Sequence, residues 1–466
     1  MRFVSLSTTW FCYFAIAALS FATAAEPLRL HPDNPRYFEF RGKPAMLITS
    51  AEHYGTILNS EFDYKKYLAT LEKHGFNLTR VFTGTYCEPA GAFNIEKNTL
   101  APAAGKLICP WKRSDQDGYS GGGAKFDLTR WDDAYFARLK DFVAEAGKRG
   151  VVVELVLFCP FYEDSQWKIS PMNATNNVNG IGKLGRNDVY ALQDEGLTRV
   201  QHALVVKLVT ELNEFDNLYY EICNEPYFGG VTRAWQDKVA DLIASTEDEL
   251  PRRHLISENV ANKSKKVEQP HPKVSIFNFH YATPPETVAM NWHLKLPIGD
   301  NETGFRGSDD LPYRSEGWEF LLAGGSLYNN LDYSFTVGHE DGTAKNKAPG
   351  GGSPALHAQL KVLKDFVHGF DFLRMSPDPS TVKGGVPEKG AVHVLANIGK
   401  EYAVYVRGGE QTKLSLELPA GKYRAIWLDT KSGQTVAEES VDHTGGVRVF
   451  SSPKYHEDIA LAIRGR

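Results

Sequence analysis

Between residues 45 and 370 the chain alternates two hydrophobic rhythms. Short runs dense in Val, Ile, Leu, Phe and Tyr recur at 45–49, 76–82, 151–158, 218–222, 254–257, 274–281, 296–302 and 329–335. The run 151–158 is almost continuously apolar, as expected of a parallel strand covered on both faces. Between the runs lie segments with helical spacing, at 64–74, 135–149, 196–212, 234–250, 318–323 and 354–370. Gly150 stands where the second of these should stop. Eight strands alternating with helices predict an α/β fold, a (β/α)8 TIM barrel. Residues 36–44 alternate and turn like a hairpin, placed to close the barrel from below. Two long inserts, 84–124 and 160–192, follow the second and third strands. They are rich in Gly, Asn and Asp, and in such a barrel they would stand on the face where loops build binding sites.

The rhythm changes after about residue 379. Short alternating runs at 392–395, 402–406, 413–418, 423–428, 447–450 and 459–463 are separated by turn residues. They predict a small all-β sandwich. The expected organisation is therefore a leader at 1–24, a barrel with its hairpin at 27–378, and a sandwich at 385–466. The leader reading rests on Arg2, an apolar run from Trp10 to Phe21, and the small-x-small sequence Ala22-Thr23-Ala24. That run is short for a membrane span and no later stretch replaces it. The expectation is a soluble protein, secreted or periplasmic, with no membrane span.

Composition narrows the partners. With 52 basic against 57 acidic residues the formal charge is -5, which argues against nucleic acid or a membrane surface as the partner. Removal of the leader takes Cys12 and leaves Cys87, Cys109, Cys159 and Cys223. An even number in an exported chain permits disulfides. Cys87 and Cys109 bracket one long loop and are the expected pair; Cys159 and Cys223 could equally be buried thiols. No clustered Cys/His spacing indicates a structural metal. No glycine-rich phosphate loop sits between a strand and a helix. No cofactor and no metal are expected.

The chemistry concentrates at two strand ends. The segment from Leu218 to Tyr227 reads as a buried strand ended by Asn224-Glu225-Pro226, since proline cannot continue the ladder. Glu225 is thereby placed at the barrel mouth, where barrel enzymes keep acids and bases. Three strands later Glu302 ends the run at 296–302. Strands four and seven face each other across the mouth of a closed barrel, so the two glutamates can flank one bond. With carboxyl groups about 5 Å apart, one can attack an anomeric carbon while the other protonates the leaving oxygen. The environments must then hold the acid protonated and the nucleophile ionised.

With these residues in place the chain resembles the clan A glycoside hydrolases, the retaining barrel superfamily that includes the family 5 cellulases and mannanases. The resemblance implies Glu225 as acid/base, Asn224 as the amide on the sugar 2-hydroxyl, Glu302 as nucleophile, and Arg80 as the arginine that orients it. His280-Tyr281 corresponds to the region whose aromatic hydroxyl contacts the nucleophile; either of the pair could take that role. His53 and Tyr54 follow the first strand and are expected to line the sugar subsite. The usual tryptophan floor after strand eight is missing, and Tyr333 or Phe335 is expected in its place. The polar cluster His339-Glu340-Asp341 could bind sugar hydroxyls or form a solvated loop. The C-terminal strands, notably 402–409 and 423–433, resemble the small β-domain of apiosidase-like proteins. The implied function is an exported retaining glycosidase acting on a β-linked carbohydrate. The alternative is a non-catalytic carbohydrate-binding or matrix-adhesion protein on the same scaffold.

Overall fold

The computed structural model describes residues 26–345 and 349–466; the expected leader, 1–24, lies outside the described residues. Eight parallel strands form the barrel: β1 Leu47–Ala51, β2 Leu78–Phe82, β3 Val152–Phe158, β4 Leu218–Cys223, β5 Ile256–Asn262, β6 Ile276–His280, β7 Ile298–Thr303 and β8 Leu327–Leu331. Their order is β1-β8-β7-β6-β5-β4-β3-β2. Every strand is buried on both faces up to the outer end of β5, which explains the apolar runs. The helices packed outside include α1 Tyr64–Lys73, α2 Asp133–Lys148, α3 Glu195–Leu212, α4 Arg233–Asp248, α5 Glu286–Asn291, α6 Asp310–Leu322 and α7 Pro354–His368. Asp63, Asp132, Asp194, Thr232 and Ser353 cap α1, α2, α3, α4 and α7 by accepting from first-turn backbone N–H groups.

The β1–β2 seam is closed by a side chain rather than a full ladder. Asn77 Oδ1 accepts from the Ile48 N–H at 2.8 Å, and Asn77 Nδ2 donates to the Met46 carbonyl at 2.9 Å. Asn77→Ala should therefore leave two strand groups without partners and cost about 1–3 kcal/mol. Urea denaturation of the variant, read for its midpoint at unchanged slope, checks this.

The hairpin expected beneath the barrel is present. Strands Arg29–Leu30, Phe38–Phe40 and Lys43–Ala45 pair antiparallel. Leu28 and Phe38 pack there against Leu47, Leu78, Val152, Tyr219, Ile276 and Leu327 at the bottoms of the strands. The insert after β2 carries a hairpin that the sequence pattern does not announce, Trp111–Asp117 with Ala124–Trp131. Its strands are largely polar on both faces, so no period of two stands out.

The C-terminal all-β domain has strands β9 Ala391–Asn397, β10 Glu401–Arg407, β11 Lys413–Leu418, β12 Gly421–Leu428, β13 Thr435–His443, β14 Gly446–Ser451 and β15 Asp458–Gly465. One sheet runs β9-β10-β15-β12-β13, and β11 pairs with β14 in a second. Between them pack Tyr402, Val404, Leu414, Leu416, Leu418, Trp427, Phe450 and Leu461. β13 is an edge strand of mostly polar residues and was not foreseen. The domain is fastened to α6. Arg314 donates to Asp458 through Nε at 2.9 Å and Nη2 at 3.0 Å, and Trp318 stacks on Tyr405 with centroids 5.3 Å apart.

The expected Cys87–Cys109 disulfide is corrected: Cys87, Cys109, Cys159 and Cys223 are all free and buried. Cys87 Sγ lies against the Ile169 carbonyl and Cys109 Sγ against that of Trp111, at 4.0 and 3.6 Å. Burial pushes both thiols up to about 12, so they remain protonated and unreactive. Loop 84–124 is held by packing and hydrogen bonds instead.

Candidate active site

At the upper end of the barrel lies a cavity of about 230 Å³. Glu225 and Glu302 stand in its wall, 7% and 6% exposed. One oxygen of each carboxylate and a ring nitrogen of His280 all lie within 4.8 Å of one another. The approach depends on local departures from regular strands. Asn301 points its amide into the barrel, onto Glu154 and Glu221. In a regular strand the next residue would point the other way. The β7–β8 register slips between Asp300 and Thr303, and Glu302 also turns inward. Such irregularities re-aim side chains beside active sites.

Backbone strain clusters at the same place. Glu225 has φ +37°, Tyr54 +58°, Tyr281 +54° and Phe305 +59°. L-residues seldom occupy this region, and all four of these line the cavity.

Glu302 is surrounded by donors. Tyr281 Oη donates to Oε1 at 2.6 Å; Tyr54 Oη and Arg80 Nη1 donate to Oε2 at 3.0 and 3.2 Å. Both members of the His280-Tyr281 pair are used, for different purposes. The tyrosine hydroxyl serves Glu302, while His280 Nδ1 lies between the carboxylates, 3.2 Å from Glu225 and 3.5 Å from Glu302.

Glu225 has its own set. Tyr162 Oη donates to Oε2 at 2.6 Å and Tyr227 Oη to Oε1 at 3.2 Å. Burial alone would raise this carboxyl. The hydrogen bonds and charge of His280, with help from Tyr162 and Asn262, outweigh it and hold Glu225 below the usual carboxylate range. Asn224 bridges the two halves: Oδ1 accepts from Arg80 Nη2 at 2.7 Å, and Nδ2 donates to Tyr162 Oη at 2.9 Å.

Beneath the cavity floor Arg80 is fully buried, and its guanidinium faces Glu154 at 3.5 Å and hydrogen-bonds Glu221. Asn278 Nδ2 donates to both of these carboxyls, at 3.1 and 3.0 Å. Burial first, then the neighbouring Glu221 charge, raises Glu154 well above the usual range. For Glu221 burial is outweighed, chiefly by the Arg80 charge, and the group is lowered. The two neighbouring carboxyls are thus pushed in opposite directions.

Glu225, His280 and Glu302 form the single donor cluster close enough for a metal ion among the described residues. Arg80 already places a positive charge on Glu302, which makes the cluster a poor cation site.

Of the sequence-derived residues, Glu225, Glu302, Asn224, Tyr281, His53 and Tyr54 line the cavity, while Arg80 and His280 are fully buried behind it. Tyr333 departs from expectation: it is 3% exposed, with its ring against His53 and Phe305 behind the wall. Phe335 is farther away, stacked on His357. The His339-Glu340-Asp341 cluster serves α1. Glu340 accepts from the Asp63 N–H at 3.3 Å, and Asp341 pairs with Lys66. β8 ends at Leu331, so these residues follow a loop path that strand alternation does not predict. Sequence reasoning missed Glu88, Phe93, Tyr162, Phe228, Asn262 and Phe305, all cavity residues. Only the aromatic richness of the loops hinted at them.

No protein-family model matches the sequence, and no curated protein sequence matches it. Solved structures match in fold. A protein described as a glycoside hydrolase superposes with a TM-score of 0.63 at 16% identity, covering 94% of this chain and 97% of its own. A putative glycoside hydrolase from Bacteroides vulgatus gives 0.66 at 14%, covering 95% of this chain and 83% of its own. A family 5 glycoside hydrolase from the same organism gives 0.63 at 14%, covering 94% and 93%. The coverage extends the likeness over barrel and C-terminal domain together.

Proposed function

We propose that the protein is an exported glycoside hydrolase that cleaves β-linked carbohydrate by double displacement, with Glu302 as nucleophile and Glu225 as acid/base. The observation that carries this reading is the pair of buried glutamates whose oxygens come within 4.8 Å across one cavity. That spacing leaves no room for a water between carboxylate and sugar, and suits direct attack. The division of roles follows from the donors. Arg80, Tyr54 and Tyr281 all stabilise a carboxylate at Glu302, as a nucleophile requires. Asn224 is placed to meet a sugar hydroxyl beside it. The fold likeness to solved glycoside hydrolases supports the reaction class. Export rests on the leader sequence at 1–24.

Glu225 must hold a proton when the leaving oxygen departs. In the free site His280 favours its ionised form, and His280 Nδ1 at 3.2 Å is the nitrogen placed to exchange a proton with it. Replacing His280 by Asn removes the largest influence that lowers Glu225 and leaves burial, which raises it. The alkaline limb of kcat/KM, which reports the free enzyme's acid, should therefore move to higher pH in His280→Asn. An unmoved limb would assign the acid elsewhere. The stereochemistry is tested by proton NMR of the first product formed from an aryl β-glycoside. Retention appears as the β-anomer; an initial α-anomer would exclude double displacement.

A further inference from the structure

From the shape of the cavity and a third buried carboxylate in its wall, we infer that the site is a dead-end pocket for one uncharged terminal sugar, with Glu88 and His53 as its end wall, so that glycans are shortened from the non-reducing end. This inference rests on the proposed reaction and deepens it by naming the substrate class.

The ends of all eight strands contribute to the wall. His53 follows β1, Tyr86 and Glu88 follow β2, Tyr162 follows β3, Glu225 follows β4, Asn262 ends β5, Tyr281 follows β6, Phe305 follows β7 and Leu331 ends β8. A cleft for internal chain cleavage would break this ring on two opposite sides. The cavity, at about 230 Å³, is also smaller than the roughly 300–1,000 Å³ of sites for larger ligands.

The ring is sealed beside β1 by the insert after β2. Thr99 Oγ1 donates to Glu52 at 2.6 Å, and a Cβ on Gly55 would lie 2.2 Å from the Thr99 carbonyl. The insert thus sits directly on the β1 loop and cannot be shifted outward without breaking main-chain packing. On the opposite side, past Pro226, lies a separate surface groove of about 420 Å³, polar and lined by Tyr227, Arg233 and Lys265. The sugar attacked by Glu302 therefore has a wall behind it, and a leaving group would lie toward the side of Glu225.

The wall is built to bind hydroxyls. Glu88 is 5% exposed; its Oε1 accepts from Tyr86 Oη at 2.9 Å, and its Oε2 accepts from Asn98 Nδ2 and lies 3.4 Å from His53 Nε2. A carboxylate offers about four acceptor positions, so one remains for a ligand. His53 Nδ1 is buried and has no hydrogen-bond partner among the described residues. The Glu88, Glu302 and Glu52 charges outweigh burial and raise His53, favouring the form in which both ring nitrogens donate. The free acceptor position on Glu88 suits a sugar hydroxyl. A uronate or sulfate would meet three carboxylates here, while Arg80 is already engaged by Glu221, Glu302 and Asn224.

The test uses neutral oligosaccharides, selected by an activity screen and labelled at the reducing end. Wild-type protein should shorten them one residue at a time, release only monosaccharide, and fail on chains ending in a uronate. Glu88→Gln, isosteric and checked for unchanged melting, should lower kcat/KM about tenfold to a hundredfold, the worth of a charged hydrogen bond. Early internal fragments, or an unaffected Glu88→Gln, would overturn the inference while leaving the glycosidase reading intact. Terminal-sugar binding to Glu302→Gln, followed by calorimetry and lost on adding Glu88→Ala, would support the pocket even if wild type cleaves nothing. Neither binding nor cleavage overturns both.

Discussion

Replacing Glu302 by Gln is expected to lower glycoside hydrolysis at least about 10⁴-fold, the scale on which removal of a reacting group acts, while leaving the fold intact. Gln keeps the size of the side chain and a carbonyl oxygen that can still accept from Tyr54 or Tyr281. What it loses is the charge that faces Arg80 at 3.2 Å and the lone pair that attacks carbon. A smaller variant adds a stricter test. Glu302→Ala leaves space on the nucleophile's side, and azide admitted there should restore turnover and yield the α-glycosyl azide. In Glu225→Ala the glycosyl intermediate still forms from an activated aryl glycoside, and azide should capture it as the β-product. The two opposite anomers assign the two roles independently. Unchanged hydrolysis in Glu302→Gln would remove the basis of the assignment, whereas sugar binding without any hydrolysis by the wild type would favour a binding protein on this scaffold.

Much of this site could be read from the sequence because its residues sit on strands or one step beyond them. The apolar run through 151–158 and the break at Asn224-Glu225-Pro226 locate strand ends whatever the loops do. Counting from them places Glu225 and Glu302 at one mouth, and the resemblance to clan A hydrolases adds Arg80 and His280. Once the chain leaves a strand, periodicity stops carrying direction. Tyr333 lies two residues beyond Leu331, and its ring ends up behind the cavity wall, against His53. Tyr162 and Glu88 reach the cavity from long inserts, and nothing in their local pattern says which way they turn. The hairpin at Trp111–Asp117 and the edge strand β13 escaped notice for another reason. Both are polar on each face, so burial imposes no alternation. The Cys87–Cys109 expectation failed because bracketing a loop says nothing about the separation of the two thiols. The aromatic rim formed by Phe93, Phe228 and Phe305, each more than a third exposed, looks from sequence like ordinary core material.

Arg80 governs stability as well as the site, and the two effects can be separated. Its guanidinium is shared by three carboxyl groups, Glu154, Glu221 and Glu302. Arg80→Met keeps the apolar stem and removes the charge that offsets these buried carboxyl groups. Breaking a buried pair in this way costs about 3–5 kcal/mol, a large share of the roughly 5–15 kcal/mol that holds a domain folded. The cost should depend on pH with a definite sign. In the wild type Glu221 is depressed, mainly by Arg80 acting against burial. Its contribution is present above the unfolded carboxylate pKa and is lost as pH falls through the lower folded value. Without Arg80 burial dominates and Glu221 joins Glu154 among the raised carboxyls. A raised carboxyl contributes stability below its unfolded pKa and loses it as pH climbs through the folded value. The gap between wild type and Arg80→Met should therefore widen from acid toward neutral pH, as read from urea midpoints across that range. Arg80→Lys should narrow the gap by restoring a charge. It cannot restore activity, because a single ammonium cannot reproduce the planar fork that meets Glu302, Glu221 and Asn224 at once. A lysine variant stable but inactive, beside a methionine variant unstable mainly at neutral pH, would divide the arginine's charge from its geometry.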